Sequence, residues 1–108
     1  MSYKVSSLQL FDKQVKRLSK KYPSLKNDLA LLLKSLSEQP EQGKFLGNNF
    51  FKIRLAISSK GKGKSGGARI ITFVKIVHTT VLLVSIYDKS EKSAITDKEL
   101  NQIFNLIS

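Results

Sequence analysis

The hydrophobic period of this chain changes near residue 50, and that change constrains the fold more than any other feature. Before it, Leu8, Phe11, Val15, Leu18 and Tyr22 recur every three or four residues and so share one helix face. Lys13, Lys16, Arg17, Lys20 and Lys21 fall largely on the opposite face. Pro23 breaks the run and Ser24 is placed to cap a second helix. Leu25, Leu29, Leu32, Leu33 and Leu36 mark its buried side, and it ends before Pro40. The short link predicts an antiparallel helix hairpin. After residue 50 the period is two: Phe51, Ile53, Leu55 and Ile57 point one way, Phe50, Lys52, Arg54 and Ala56 the other. One strand thus carries a core face and a partly basic face.

The segments ARIITFVKIV (68–77) and TVLLVSIYDK (80–89) are β-branched and apolar on both faces. Such strands belong inside a sheet, and the turn near His78 and Thr79 makes the pair antiparallel. Residues 3–7 read as a short first strand, and residues 40–49 (PEQGKFLGNN) as a loop rich in turn formers. Thr96 and Glu99 form a capping box before Leu100, Ile103, Phe104 and Ile107, with Ile95 and Leu100 as its hydrophobic staple. The expected order is β-α-α-β-β-β-α: one α+β domain over residues 1–108, a twisted, mainly antiparallel sheet with helices packed on one face.

Charge narrows the partner. The formal net charge is +11. Residues 42–87 hold eight of the bases and no acid, whereas the flanking segments mix both signs. An acid-free central block points to a polyanion, nucleic acid first and an acidic protein second. With no cysteine there are no disulfides or thiolate metal sites. No signal peptide is evident, and the longest apolar run, 81–87, is too short to span a membrane. A cytoplasmic protein with no membrane partner is the expectation.

Within that block lies KGKGKSGGAR (60–69), whose Gly63-Lys64-Ser65 is the tail of a phosphate-binding loop. The full pattern requires glycine where Ser58 stands and a helix after Ser65, but the sequence continues with strand period. A hairpin loop is expected instead, with glycines that let the backbone turn and approach a polyanion closely.

The run KIRLAISSKGKGKSGGARIITFV, followed by VLLVSIYDKSEKSAITDKEL, resembles the RelE/ParE superfamily of bacterial toxins, most closely its HigB/RelE-like branch. The resemblance covers nearly the whole chain. It implies a RelE-like fold and a toxin that cleaves messenger RNA on the ribosome without metal or other cofactor. The ribose 2′-hydroxyl would attack the adjacent phosphate. A cognate antitoxin protein, messenger RNA and ribosomal RNA are the implied partners.

That chemistry needs a base, stabilisation of the transition-state charge, and an acid for the leaving oxygen. His78, the only histidine, is expected at a remote turn, so cations must serve. Arginine offers a bidentate fork to phosphate, and a lysine crowded by cations can lose its proton more readily. The catalytic candidates are Arg69 for the transition state, Arg54 and Lys89 for phosphate contacts, and Lys52 for proton transfer. Lys62, Lys64, Ser65 and Lys92 are RNA-binding candidates, with Tyr87 to stack on a base. Some RelE-like members carry a tyrosine shortly before the last helix; here Ile95 stands there, so the general base and acid stay open. Two other readings compete: a ParE-like toxin that poisons DNA gyrase, and a basic nucleic-acid-binding module without catalysis.

Overall fold

The computed structural model describes residues 2–107. Its elements are β1 (Lys4–Ser7), α1 (Gln9–Lys21), α2 (Leu25–Glu38), β2 (Lys44–Gly47), β3 (Phe50–Leu55), β4 (Ala68–Lys75), β5 (Thr80–Asp88) and α3 (Asp97–Ile107), with a 3-10 turn at Ser58–Lys60. The strands lie in the order β1-β5-β4-β3-β2. β1 runs parallel to β5, and the other neighbours are antiparallel. The α+β class and the helix hairpin are as expected. No helix among the described residues is long and apolar enough to cross a membrane.

Two expectations are corrected. Residues 44–47, expected within a loop, form a strand. Asn48 and Asn49 take φ of 50° and 66°, the pair of left-handed residues that a two-residue hairpin turn demands. β2 therefore folds straight back onto β3, and Phe45 meets Phe51 with ring centroids 5.4 Å apart. The helices, expected on one face, cover both. The hairpin buries Phe11, Leu18, Leu25, Leu29 and Leu36 against Ile53, Ile70, Val74 and Val81. α3 lays Leu100 and Ile103 on the other face, against Phe50, Ile71, Phe73, Leu82 and Val84. The cause is in the inner strands: apolar on both sides, they need cover on both sides. Phe50, Phe73 and Phe104 close this second core with edge-on contacts at 5.2, 6.2 and 6.3 Å.

The α3 start forms as expected, with Glu99 N–H donating to Thr96 Oγ1 and Thr96 N–H donating to Glu99 Oε1, both at 3.1 Å. Ser24 departs from its expected role. It makes no side-chain cap; its hydroxyl donates instead to Asp28 and accepts from the Ser59 N–H.

A bulge in β5 sets the later geometry. Ile71 pairs with Ser85 but Thr72 with Leu83, leaving Val84 as the extra residue. One extra residue inverts the alternation of side chains. Leu82 and Val84 face α3, yet beyond the bulge it is Tyr87 that does so, while Ile86 and Asp88 turn to the hairpin side.

The β4–β5 turn closes with the Thr79 N–H donating to the Ile76 carbonyl at 3.1 Å. Thr79 sits at φ 44°, a strained conformation for a β-branched residue. Thr79→Gly is expected to stabilise the domain by about 1 kcal/mol, seen as a higher urea midpoint at unchanged slope.

Candidate nucleic-acid interface

Strand register builds the site. Arg54 on β3 pairs with Arg69 on β4, which pairs with Tyr87 on β5, so the three form one row across the sheet. Lys52 lies two residues from Arg54 on the same face. Opposite Lys52, across β2, stands Lys44. Lys44 was not among the expected site residues, because its placement depends on the Asn48–Asn49 turn. Lys52 is half-buried and Arg54 exposed. Burial pushes the Lys52 ammonium below its ordinary pKa, and the charges of Lys44, Lys89, Arg69 and Arg54 push it the same way. No acid counters them. Lys44, Lys52, Arg54 and Lys64 also line a cleft of about 800 Å³, together with Leu32 and Leu55.

Arg69 is only 5 % exposed. Its Nη1 donates to the carbonyls of Lys64 (2.9 Å) and Ala68 (3.2 Å), and Nη2 to that of Ser65 (3.3 Å). A guanidinium has five N–H donors in a planar fork. The Nε–H and one Nη2–H take no part in these bonds. Arg69 thus grips the loop with three of its five donors.

The glycine-rich loop is pinned along its length. Ser58 donates to Asp28 from N (2.9 Å) and Oγ (2.6 Å). Lys60 Nζ donates to Asp88 at 2.8 Å. A Cβ on Gly67 would lie 2.1 Å from the Leu55 carbonyl oxygen, so close packing on β3 accounts for this glycine. Gly61 and Gly63, at φ of 71° and 64°, are the glycines that turn the loop. Lys62, Lys64 and Ser65 occupy the exposed tip.

The remaining candidates divide. Lys89 lies near enough to act on Lys52, and its ammonium donates to the Ser93 carbonyl. Lys92 is ion-paired with Glu99 and stands over the Tyr87 ring at 5.9 Å. Tyr87 is 6 % exposed and its hydroxyl has no hydrogen-bond partner. Burial raises its pKa, against the charges of Arg69 and Lys92. The expected base-stacking ring is therefore packed beside α3 and presents no face to a base. His78 is exposed in the β4–β5 turn, at the opposite end of β4 from Arg69.

Over residues 10–107 the sequence matches the family described as the RelE toxin of the RelE/RelB toxin–antitoxin system. No curated protein matches the sequence. Among solved structures, a double arginine-to-alanine mutant of the Escherichia coli toxin RelE in the free state superposes with a TM-score of 0.68 at 19% identity, covering 100% of both chains. The toxin–antitoxin complex RelBE from Mycobacterium tuberculosis gives 0.60 at 18% identity over 82% of this chain and 92% of that one. The isolated Escherichia coli RelE toxin in another crystal gives 0.59 at 16% identity over 98% and 100%. At such identities the likeness is one of fold, and none of these matches singles out the HigB-like branch.

Proposed function

The chain belongs to the RelE toxin family, and from that membership we propose that it arrests translation by cutting messenger RNA in the ribosome. The observation that carries this reading is the acid-free cluster of Lys44, Arg54, Arg69 and Lys89 around a half-buried lysine, Lys52, whose proton is loosened first by burial and then by these charges. A gyrase-binding or merely RNA-coating surface has no need of a lysine made acidic in this way. In the reaction, Lys52 takes the proton of the 2′-hydroxyl as the oxygen attacks phosphorus. The unused donors of Arg69 and the guanidinium of Arg54 hold the non-bridging oxygens as charge develops on them. Lys89, as an ammonium, gives a proton to the 5′ oxygen as its bond to phosphorus breaks. A 2′,3′-cyclic phosphate and a 5′-hydroxyl result. Lys62 and Lys64, on the exposed tip, contact flanking phosphates, and Ser65 lies beside them. The partner in the cell is an antitoxin whose acidic segment covers the basic face and speeds association.

Induction of the chain in bacteria, with message ends and DNA supercoiling mapped in parallel, tests this. In-frame message cleavage that disappears in Arg69→Ala is the expected result. Intact messages beside gyrase-linked DNA breaks would establish the ParE-like reading instead, and unimpaired growth would exclude both.

A further inference from the structure

Asp88 is the first acid after the acid-free block and the last residue of β5. It is fully buried. Its carboxylate accepts from Lys60 Nζ at 2.8 Å, Tyr22 Oη at 2.5 Å, Ser90 N at 3.0 Å and Ser90 Oγ at 2.8 Å. Lys21 Nζ stands 3.8 Å away. These partners come from three separate segments: the end of α1, the start of the glycine-rich loop, and the turn after β5. The Asp88 carbonyl also accepts from the N–H groups of Glu91 and Lys92, both at 3.0 Å.

A buried carboxylate is costly unless paired and fully hydrogen-bonded, and here it is both. The arrangement clamps the loop at two points: Lys60 is tied to Asp88, and the carbonyls of Lys64 and Ser65 are tied to Arg69. The Lys89 N–H closes the frame by donating to the Gly67 carbonyl at 3.0 Å. Arg69 and Lys89 therefore hang on one frame whose joint is a carboxylate on the opposite side of the sheet. Sealed by Lys60 and Tyr22, that acid is hidden from a polyanion. Lys60, with a side chain only 10% exposed, is spent on this joint and differs in kind from Lys62 and Lys64 on the tip.

We propose that Asp88 is a positioning residue: through Lys60 it holds the loop and the turn after β5 so that Arg69 and Lys89 engage the same phosphodiester. The inference rests on the reading of the cluster as an RNA-cleaving site. Its test uses Asp88→Asn, Lys60→Met and Lys60→Arg in the full chain. Ribosome-dependent cleavage is measured at a temperature where circular dichroism shows every variant folded, and amide exchange is followed alongside. Asp88→Asn and Lys60→Met are each expected to lower kcat by about tenfold to a hundredfold, as small misplacements of reacting groups do, with KM within roughly threefold. Lys60→Arg keeps the ion pair and should retain most of kcat. Exchange should quicken at Lys89 and Ser90 while Ile70 and Ile71 keep their protection. A lowered melting temperature with kcat intact, or an arginine variant as impaired as the methionine one, would overturn the proposal by reducing Asp88 to a stabilising role. If the wild-type chain cleaves no message, the parent reading fails and exchange alone decides. Quickening confined to Lys89 and Ser90 then upholds the clamp, and uniform loss of protection overturns it.

Discussion

Replacing Arg69 with alanine is expected to lower message cleavage by about a thousandfold, the upper range for loss of one preorganised charge-stabilising group. Two losses combine. The guanidinium charge and its two unused N–H donors disappear, and the carbonyls of Lys64 and Ser65 lose the donor that fixes the loop. Those carbonyls belong to exposed residues and can turn to water, so the fold should survive. Arg69→Lys separates the two effects. A lysine keeps the charge but has no planar fork with which to hold the carbonyls and phosphate together. Its rate should stay about a hundredfold below wild type, on the order of one lost transition-state contact. Lys62→Ala is the matching control, an exposed tip residue whose loss should weaken binding a few-fold and flatten its salt dependence. Single-turnover cleavage on programmed ribosomes distinguishes these cases. A lysine variant within threefold of wild type would mean that position 69 supplies charge alone.

Much of this geometry was legible in the residues. The spacing of Phe11, Leu18 and Tyr22 marks α1, and the Thr96–Glu99 box marks the start of α3 to the residue. Alternation in β3 puts Lys52 and Arg54 on one face before any pairing is known. The hidden parts depend on single backbone conformations or on distant packing. β2 hinges on two left-handed asparagines, a turn signal present in the sequence and read only as loop. With β2 unseen, Lys44 could not be set opposite Lys52. The face taken by α3 was also signalled, because Ile71, Phe73, Leu82 and Val84 point away from the hairpin and demand cover. The bulge at Val84 has no sequence mark. It decides that Tyr87 lies with α3 and Asp88 with Tyr22. A strand-end acid in a basic chain looks like ordinary solvated charge until those partners are placed.

Lys52→Met is expected to cut the rate by about a hundredfold to a thousandfold and to stabilise the fold. Both effects follow from one cause. In the folded chain, burial and four neighbouring cations hold the Lys52 pKa below its ordinary value of 10.5. In the unfolded chain the lysine is free of them. Between the lowered value and 10.5 the unfolded state binds more protons at this site, so the contribution of Lys52 to stability rises with pH across that window. Below the window the charged lysine opposes folding. Methionine fills a similar volume with no charge, so the melting temperature should rise by roughly a few degrees and the part of the pH slope that Lys52 contributes should vanish. The rate should behave in parallel. In the proposed mechanism Lys52 accepts the 2′-hydroxyl proton and must be neutral to do so; wild-type cleavage should then climb with pH towards its lowered pKa and the methionine variant should lack that limb. Lys52→Arg decides between proton transfer and charge. Arginine preserves the repulsion and never deprotonates in this range, so it should match methionine in rate and wild type in its cost to stability. An arginine that restored cleavage would reduce Lys52 to neutralising phosphate charge and move the general base to another residue of the row.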